Sequence, residues 1–314
     1  MFKKTLPFII LLFFIYLIIY FYSENKNDFN FLYNLNFNFI LVTLLLCFFY
    51  LITESIIFKN ITIFFNIRIN LYKSFLIICT TYFCNTFVQF SGLGYRAYYL
   101  KKFKNINVSE FIIKSIFIIF VEFLVFSSLS FFLLFIFDKI NSQIKIYPLI
   151  YFILIIIFIG SLIMLLFYKN IIRLLKKLTF LKKFKIIDKT LKTIDNFDKS
   201  RFNLFFNRYV FLFIIQFLIL FLIFLNSYSL FGKENSILFS IISTMSTDLS
   251  FVFTLTPYAV GISETFIFFS SNNFDIKISE ILFLTNIFRL SMFAIYFIFG
   301  LINLFIFSKM IIKE

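Results

Sequence analysis

Residues 85–96 read NTFVQFSGLGYR, a polar and glycine-containing segment at the end of an apolar run. A second segment of this kind, TLTPYAVGISE, occupies residues 254–264. A bilayer offers no water to loose backbone groups, so irregular backbone at membrane depth persists only where it is buried in protein or lines a cavity. One such break in each half of a chain is typical of transporters built from internal repeats. The breaks are therefore expected at Gly92 and Gly94, and at Pro257 and Gly261.

Composition places the chain in a bilayer. Of its 314 residues, 61% are hydrophobic and 14% are charged, and the mean hydropathy is +0.99. Soluble domains are closer to half apolar and a quarter charged. The sequence predicts an all-α, polytopic integral membrane protein.

The residue types also exclude several kinds of chemistry. The chain has no histidine, so histidine-based acid–base catalysis and histidine metal ligands are ruled out. It has no Asp-x-Asp motif, no P-loop and no Gly-x-Gly-x-x-Gly motif. We therefore expect no catalytic residues, no metal site and no cofactor. These absences favour a protein that is not an enzyme, but they leave the question open.

Runs long enough to cross a bilayer need about 20 apolar residues. Six such runs are Leu6–Tyr22, Phe37–Phe58, Phe111–Phe137, Tyr147–Tyr168, Tyr209–Phe231 and Ile281–Phe307. Two further runs, Ser74–Phe90 and Ser236–Thr256, are short or rich in polar residues. These two can either span the membrane or enter and leave by the same face.

Charge placement favours the re-entrant arrangement. Segment 169–208 carries 12 basic and 3 acidic residues, and cytoplasmic loops hold the excess of Lys and Arg. If all eight runs crossed with the N-terminus inside, this segment would lie outside. If Ser74–Phe90 and Ser236–Thr256 re-enter, segment 169–208 and the predicted basic loop 91–110 both lie inside. The prediction is six spans and two re-entrant segments, with cytoplasmic termini; eight simple spans are the alternative.

The domain prediction follows from this topology. A single membrane domain covers residues 1–314, with a first half at about 37–168 and a second half at 209–314. A basic cytoplasmic connector, 169–208, joins the two halves. The halves are predicted to be pseudo-symmetric inverted repeats.

Ionisable residues inside spans are costly and usually functional. The candidates for a lipid-headgroup site are Arg96, Glu122, Asp248, Glu264 and Arg289. Glu122 follows Gly94 by 28 residues, and Arg289 follows Gly261 by the same interval, with the charges exchanged. Glu54 lies near the predicted cytoplasmic end of the span Phe37–Phe58, so it is expected to be interfacial and outside the site.

The chemistry of these residues suits a charged headgroup. A helix that restarts after a break presents N–H groups that favour an anion, and an adjacent arginine can bind a phosphate through two hydrogen bonds. Glu122 and Glu264 would hold the arginines or meet a cationic group. The expected partners are membrane lipids with anionic headgroups, and not nucleic acid. The alternative is that these charges form structural ion pairs.

The motifs resemble the flippase-type transmembrane domain of the lysylphosphatidylglycerol synthase superfamily. The first motif rests on Gly92, Gly94, Arg96, Leu100-Lys101-Lys102 and Glu122. The second rests on Pro257, Gly261, Glu264, Arg289 and Gly300. The resemblance implies a stand-alone member that lacks the soluble aminoacyltransferase domain. The chain departs from many relatives at Leu93, where they carry an acid.

Together these features predict lipid translocation between leaflets of the plasma or inner membrane, without chemical conversion. The alternative is a membrane-embedded transferase, or its accessory subunit, for lipid- or polyprenyl-linked glycosyl or aminoacyl transfer. A homo-oligomer and a partner membrane enzyme both remain open.

Overall fold

The computed structural model describes residues 36–63, 65–87, 91–104, 106, 108–140, 148–177, 199–231, 236–252, 262–271 and 278–312. The helices in these ranges are α1 (Phe37–Ile63), α2 (Leu71–Phe87), α3 (Ser91–Lys104), α4 (Val108–Ile140), α5 (Pro148–Lys177), α6 (Lys199–Ser229), α7 (Ser236–Val252), α8 (Ile262–Ser271) and α9 (Ile278–Ile312). No strand occurs in these ranges, so the predicted all-α, polytopic class is confirmed.

Five of these helices, α1, α4, α5, α6 and α9, are long and apolar enough to cross a membrane. Their candidate spans are Phe37–Ile63, Glu110–Ile140, Ile150–Phe167, Phe206–Ser229 and Ser279–Ile306. Each overlaps one of the six predicted runs. The remaining predicted span, Leu6–Tyr22, lies outside the described residues, as does the 178–198 part of the predicted connector.

The two doubtful runs form the short helices α2 and α7. Each has 17 residues, and a helix of this length is about 25 Å long, against a hydrocarbon core of about 30 Å. Each packs against the helix that follows it in the chain, α3 or α8. Their length favours the re-entrant topology, which stays a prediction.

The predicted basic loop 91–110 is wrong, because its first part is helix α3. Ser91 begins this helix, and serine is well suited to a helix start. Tyr99 and Leu100 are buried, so the helix is held by packing on one face while Lys101 is exposed on another. Arg96 is therefore carried into the protein by a helix.

The contacts between helices repeat between the two halves. Helices α1 to α4 correspond to α6 to α9: α1 packs on α2 as α6 does on α7, and α3 packs on α4 as α8 does on α9. The contact of α2 with α9 matches that of α7 with α4, and α4 contacts α6 as α9 contacts α1. Helices α1 and α6 pack on each other, and α5 has no counterpart among the described helices. This pattern supports the predicted pseudo-symmetric repeat.

Apolar packing between α1, α6 and α9 forms the centre of the core. Cys47 and Leu51 of α1 and Phe224 of α6 are completely buried. The ring of Phe224 lies 5.7 Å from that of Phe288 on α9. Aromatic pairs at this distance contribute beyond the area that they bury.

The two matched interfaces between the halves are not equally tight. Helix α2 packs along α9 more extensively than α7 packs along α4. At the α2–α9 interface, Asn303 Nδ2 donates hydrogen bonds to Thr80 Oγ1 (2.7 Å) and to Tyr95 Oη (2.8 Å), so α9 is tied to both α2 and α3. A side chain at Gly300 would begin only 3.0 Å from Phe83 Cβ. Close backbone approach of this kind requires glycine.

We expect Gly92→Ala to destabilise the protein by about 1–3 kcal/mol, the usual cost of overpacking. A Cβ at this position would lie 2.2 Å from the carbonyl oxygen of Thr81, so α2 and α3 would have to separate. Gly94 is the matched control on the same helix turn, because a Cβ there meets nothing within 4 Å. The thermal unfolding temperatures of Gly92→Ala and Gly94→Ala in detergent test this. Equal losses in the two variants would contradict the packing argument.

Candidate functional site

Arg96 of α3 is partly buried and has an unfilled donor. Its Nε is inaccessible to solvent and has no hydrogen-bond partner among the described residues. Its guanidinium carbon lies 6.0 Å from the centre of the Phe58 ring on α1, at the limit of a cation–π contact. A buried donor without an acceptor is uncommon and costly, so Arg96 is held in a position that its protein neighbours do not fully satisfy.

Glu54 of α1 belongs to the interior and not to the membrane interface, so the interfacial prediction is wrong. Its carboxylate accepts a 2.6 Å hydrogen bond from Gln216 Nε2 of α6, and Gln216 is fully buried. Among the carboxylates, Glu54 attracts Arg96 most strongly. The prediction failed because α1 continues to Ile63, past the predicted end at Phe58, so Glu54 lies well inside the helix.

Glu122 and Asp248 complete the group of charges. Glu122 on α4 interacts electrostatically with Asp248 on α7, with Glu54 and with Arg96. We call Glu54, Arg96, Glu122 and Asp248 the interior charge cluster. It brings together three of the five predicted site residues, Arg96, Glu122 and Asp248, with Glu54, which was expected to lie outside the site. Helices from both halves contribute to it.

Asp248 also borders an apolar cleft. The side chain is only 7% exposed, and it makes no hydrogen bond or ion pair with any residue in the described ranges. The cleft lies between α4, α5 and α7 and has a cavity volume of about 10 Å³, room for about one water molecule. Its lining residues are Phe123, Phe126, Ser127, Leu154, Ile157, Met245 and Asp248. Asp248 is the single ionisable group in that lining.

Two tyrosines border the interior charge cluster. Tyr50 of α1 and Tyr82 of α2 both interact electrostatically with Glu54 and Glu122. Tyr82 stacks on Tyr296 of α9, with ring centres 6.2 Å apart, and Tyr50 meets Phe288 edge-on at 6.5 Å. Aromatic packing thus fixes two phenol groups, each able to donate or accept a hydrogen bond, beside the carboxylates.

Glu264 of α8 and Arg289 of α9 bind each other. Arg289 donates from Nη1 to Glu264 Oε1, and from Nη2 to Glu264 Oε2 at 3.3 Å and to Ser263 Oγ at 2.7 Å. Ser263 Oγ donates in turn to Glu264 Oε2 at 2.9 Å. The two charged side chains are 13% and 12% exposed. This two-point geometry is the strong form of an arginine–carboxylate pair.

The two halves use equivalent helices differently. In the predicted repeat, Arg96 on α3 and Glu122 on α4 would correspond to Glu264 on α8 and Arg289 on α9. The second pair is closed by direct hydrogen bonds. In the first, Arg96 is attracted more strongly by Glu54 than by Glu122. The first half therefore holds the more available arginine.

The predicted backbone breaks lie only partly within the described residues. Gly92 and Gly94 lie in the first turn of α3. The Gly92 N–H donates to Asn85 Oδ1 at 2.7 Å, so this amide is satisfied within the protein. Pro257 and Gly261 lie outside the described residues. At Gly92, therefore, the backbone amide is not free to bind an anion.

Comparison with known proteins gives one match. The family model of the lysylphosphatidylglycerol synthase TM region matches residues 5–300, nearly the whole chain. Searches among curated proteins and among solved structures found no significant match.

Proposed function

We propose that this chain, which belongs to the family of the lysylphosphatidylglycerol synthase TM region, moves lipid headgroups between the two leaflets without altering them chemically. Family membership supports a multi-pass membrane protein with a lipid-related role. The proposal that the chain moves lipid headgroups rests on the interior charge cluster, in which Arg96 Nε has no hydrogen-bond partner within the described part of the chain.

The cluster suits the task of carrying a charged headgroup through apolar surroundings. Charged side chains inside a membrane domain are costly and mark substrate pathways. Arg96 presents a planar guanidinium that can hold a phosphate by two hydrogen bonds. Glu54, itself fixed by Gln216, positions Arg96 from α1. A headgroup at Arg96 would lose its bound water and gain contacts with these fixed side chains in return.

The apolar cleft supports the same function. It opens between α4, α5 and α7, and its lining is apolar apart from Ser127 and Asp248. An amphiphile needs this combination, because its hydrocarbon chain can stay in apolar surroundings while its polar end reaches a charged group. The cleft has room for about one water molecule, so the helices that line it would have to separate before a headgroup could enter. The proposed path for the headgroup runs from this cleft toward the interior charge cluster.

Reconstitution tests the proposal directly. The chain is placed in phosphatidylcholine vesicles that contain a trace of headgroup-fluorescent phosphatidylglycerol, and dithionite is added to bleach the outer leaflet. With the wild type, bleaching should proceed from the outer-leaflet fraction to near completion, whereas protein-free vesicles should stop at that fraction. The assay is repeated with phosphatidylethanolamine and phosphatidylserine probes. Bleaching that stops at the outer-leaflet fraction for every probe would transfer support to the transferase or accessory-subunit alternative.

The same proposal places the protein in the plasma or inner membrane with cytoplasmic basic segments. A maleimide that does not cross membranes should label Lys101→Cys and Lys177→Cys in inverted vesicles, whose cytoplasmic face is on the outside. It should not label them in vesicles of the native orientation. Both variants also carry Cys84→Ser, because Cys84 is only partly buried and could react with the maleimide. The other two native cysteines, Cys47 and Cys79, are buried. Labelling of these positions from the opposite, non-cytoplasmic side would defeat the re-entrant topology, because eight simple spans place both of them there.

A further inference from the structure

The interior charge cluster holds more negative than positive charge. Glu54, Glu122 and Asp248 stand against one guanidinium, that of Arg96. Among the described residues, Arg96 is the cation that attracts Glu54 and Glu122, while Asp248 is repelled by Glu54. One guanidinium can neutralise one carboxylate. The other two have no cationic partner in the described part of the chain.

Hydrogen bonds do not make up the difference. An ionised carboxylate can accept about four hydrogen bonds. Glu54 accepts one, from Gln216, and within the described ranges Glu122 and Asp248 accept none. Because an unpaired charge is costly away from water, a further cation at these carboxylates would stabilise the cluster, most of all at Asp248, which is buried.

A proton fits the geometry better than a metal ion. In the described part of the chain, no three carboxylate or cysteine side chains are close enough to hold a metal together. The carboxylates stand on three different helices, α1, α4 and α7. A proton needs only one carboxylate oxygen, and rows of Asp and Glu inside membrane domains serve as proton relays.

The surroundings of the cluster leave the carboxylates as the groups that take up a proton. The titratable and polar groups that face it are Tyr50 and Glu54 of α1, Tyr82 of α2, Arg96 of α3, Glu122 of α4, Gln216 of α6 and Asp248 of α7. The tyrosines are neutral phenols near neutral pH, and arginine stays protonated. Asp248 is the member that also borders the cleft, where a proton can arrive from outside the core.

We propose that Glu54, Glu122 and Asp248 bind a proton, and that the chain carries it across the membrane together with an anionic headgroup. The inference rests on the proposed function and adds its driving force. A phosphate on Arg96 offsets the positive charge that Glu54 and Glu122 feel, so headgroup binding strengthens proton binding. Reciprocity requires that the proton strengthen headgroup binding by the same factor. The proton passes from water to a carboxylate oxygen and back, and no other bond changes.

A proton gradient across the vesicles tests the coupling. With headgroup-fluorescent phosphatidylglycerol in phosphatidylcholine vesicles and an acidic exterior, wild type should enrich the probe in the inner leaflet. Reversing the gradient should reverse the enrichment. Asp248→Asn and Glu122→Gln should lose this bias, whereas Glu110→Gln should keep it. Glu110 is the matched control because it lies on α4, pairs with Lys114 and is 42% exposed.

The outcomes separate the two proposals. Probe movement that ignores the gradient in wild type would overturn proton coupling and leave lipid translocation intact. No probe movement in any condition would remove lipid translocation, and coupling with it. Infrared spectroscopy gives a readout that needs no transport, because a protonated carboxyl has its own carbonyl stretch. That band should be present in the wild type near neutral pH and be weakened in Asp248→Asn or Glu122→Gln; its absence from the wild type would overturn the proton site.

Discussion

Arg96→Ala should slow lipid movement by roughly ten- to a hundredfold, because losing charge-assisted hydrogen bonds to a headgroup costs about 1.5–3 kcal/mol. The residue has the properties that such a role requires: a partly buried guanidinium, a buried Nε without a partner in the described residues, and an anchor in Glu54. The measurement is the initial rate of dithionite bleaching in vesicles with equal amounts of folded protein.

Two further variants make the Arg96 result interpretable. Arg96→Lys keeps the charge that balances Glu54 but loses the two-point fork, so it should retain an intermediate rate. Lys101→Ala removes an exposed cation from the same helix and should leave the rate unchanged. If Arg96→Ala elutes as a folded monodisperse species and moves lipid at the wild-type rate, the anion site at Arg96 is ruled out.

Breaking the Glu264–Arg289 pair should have the largest effect on stability. Removing one partner of a buried pair leaves the other charge uncompensated, at a cost of about 3–5 kcal/mol. Glu264→Ala and Arg289→Ala should each show this loss. Glu264→Leu combined with Arg289→Met leaves no charge behind and should recover most of it. Unfolding in detergent, monitored by circular dichroism in a double-mutant cycle, gives the coupling between the two residues.

A milder variant and an activity measurement complete the test of this pair. Ser263→Ala removes hydrogen bonds but no charge, so it should cost only about 1 kcal/mol. Additive losses in the double-mutant cycle would show that the pair contributes no interaction energy. The double variant also decides its role. Retained lipid movement would favour the structural ion pair, while a stable but inactive protein would favour the predicted headgroup contact at Glu264 and Arg289.

The spans were predictable because bilayer thickness fixes their length, whatever the tertiary packing. The predicted run Tyr209–Phe231 and the observed span Phe206–Ser229 differ by only a few residues at each end. The 28-residue spacing was also informative, since it selected charges on equivalent helix pairs. Both signals are local or periodic, and such signals survive in a single sequence.

The remainder depended on contacts that a sequence does not display. Helix α3 has many basic residues and two glycines, which is the composition of a loop; its helical state comes from burial of Tyr99 and Leu100. Glu54 could be placed only by knowing that α1 continues past Phe58. Gln216 is an uncharged amide within an apolar run, so the sequence did not mark it as part of the site. Its role becomes visible once α1 and α6 are seen side by side.

The difference in packing between the two matched interfaces suggests a second arrangement of the same helices, in which the tighter and looser contacts are exchanged. Helix α2 is bound closely to α9, while the equivalent contact of α7 with α4 is looser and borders the cleft at Asp248. An exchange of tight and loose packing between the halves would need no new type of contact. It would open a cleft beside α2 and close the one beside α7. The free-energy gap between these two resting positions is then set by side-chain differences between the halves, so single substitutions at either interface can tip the preference.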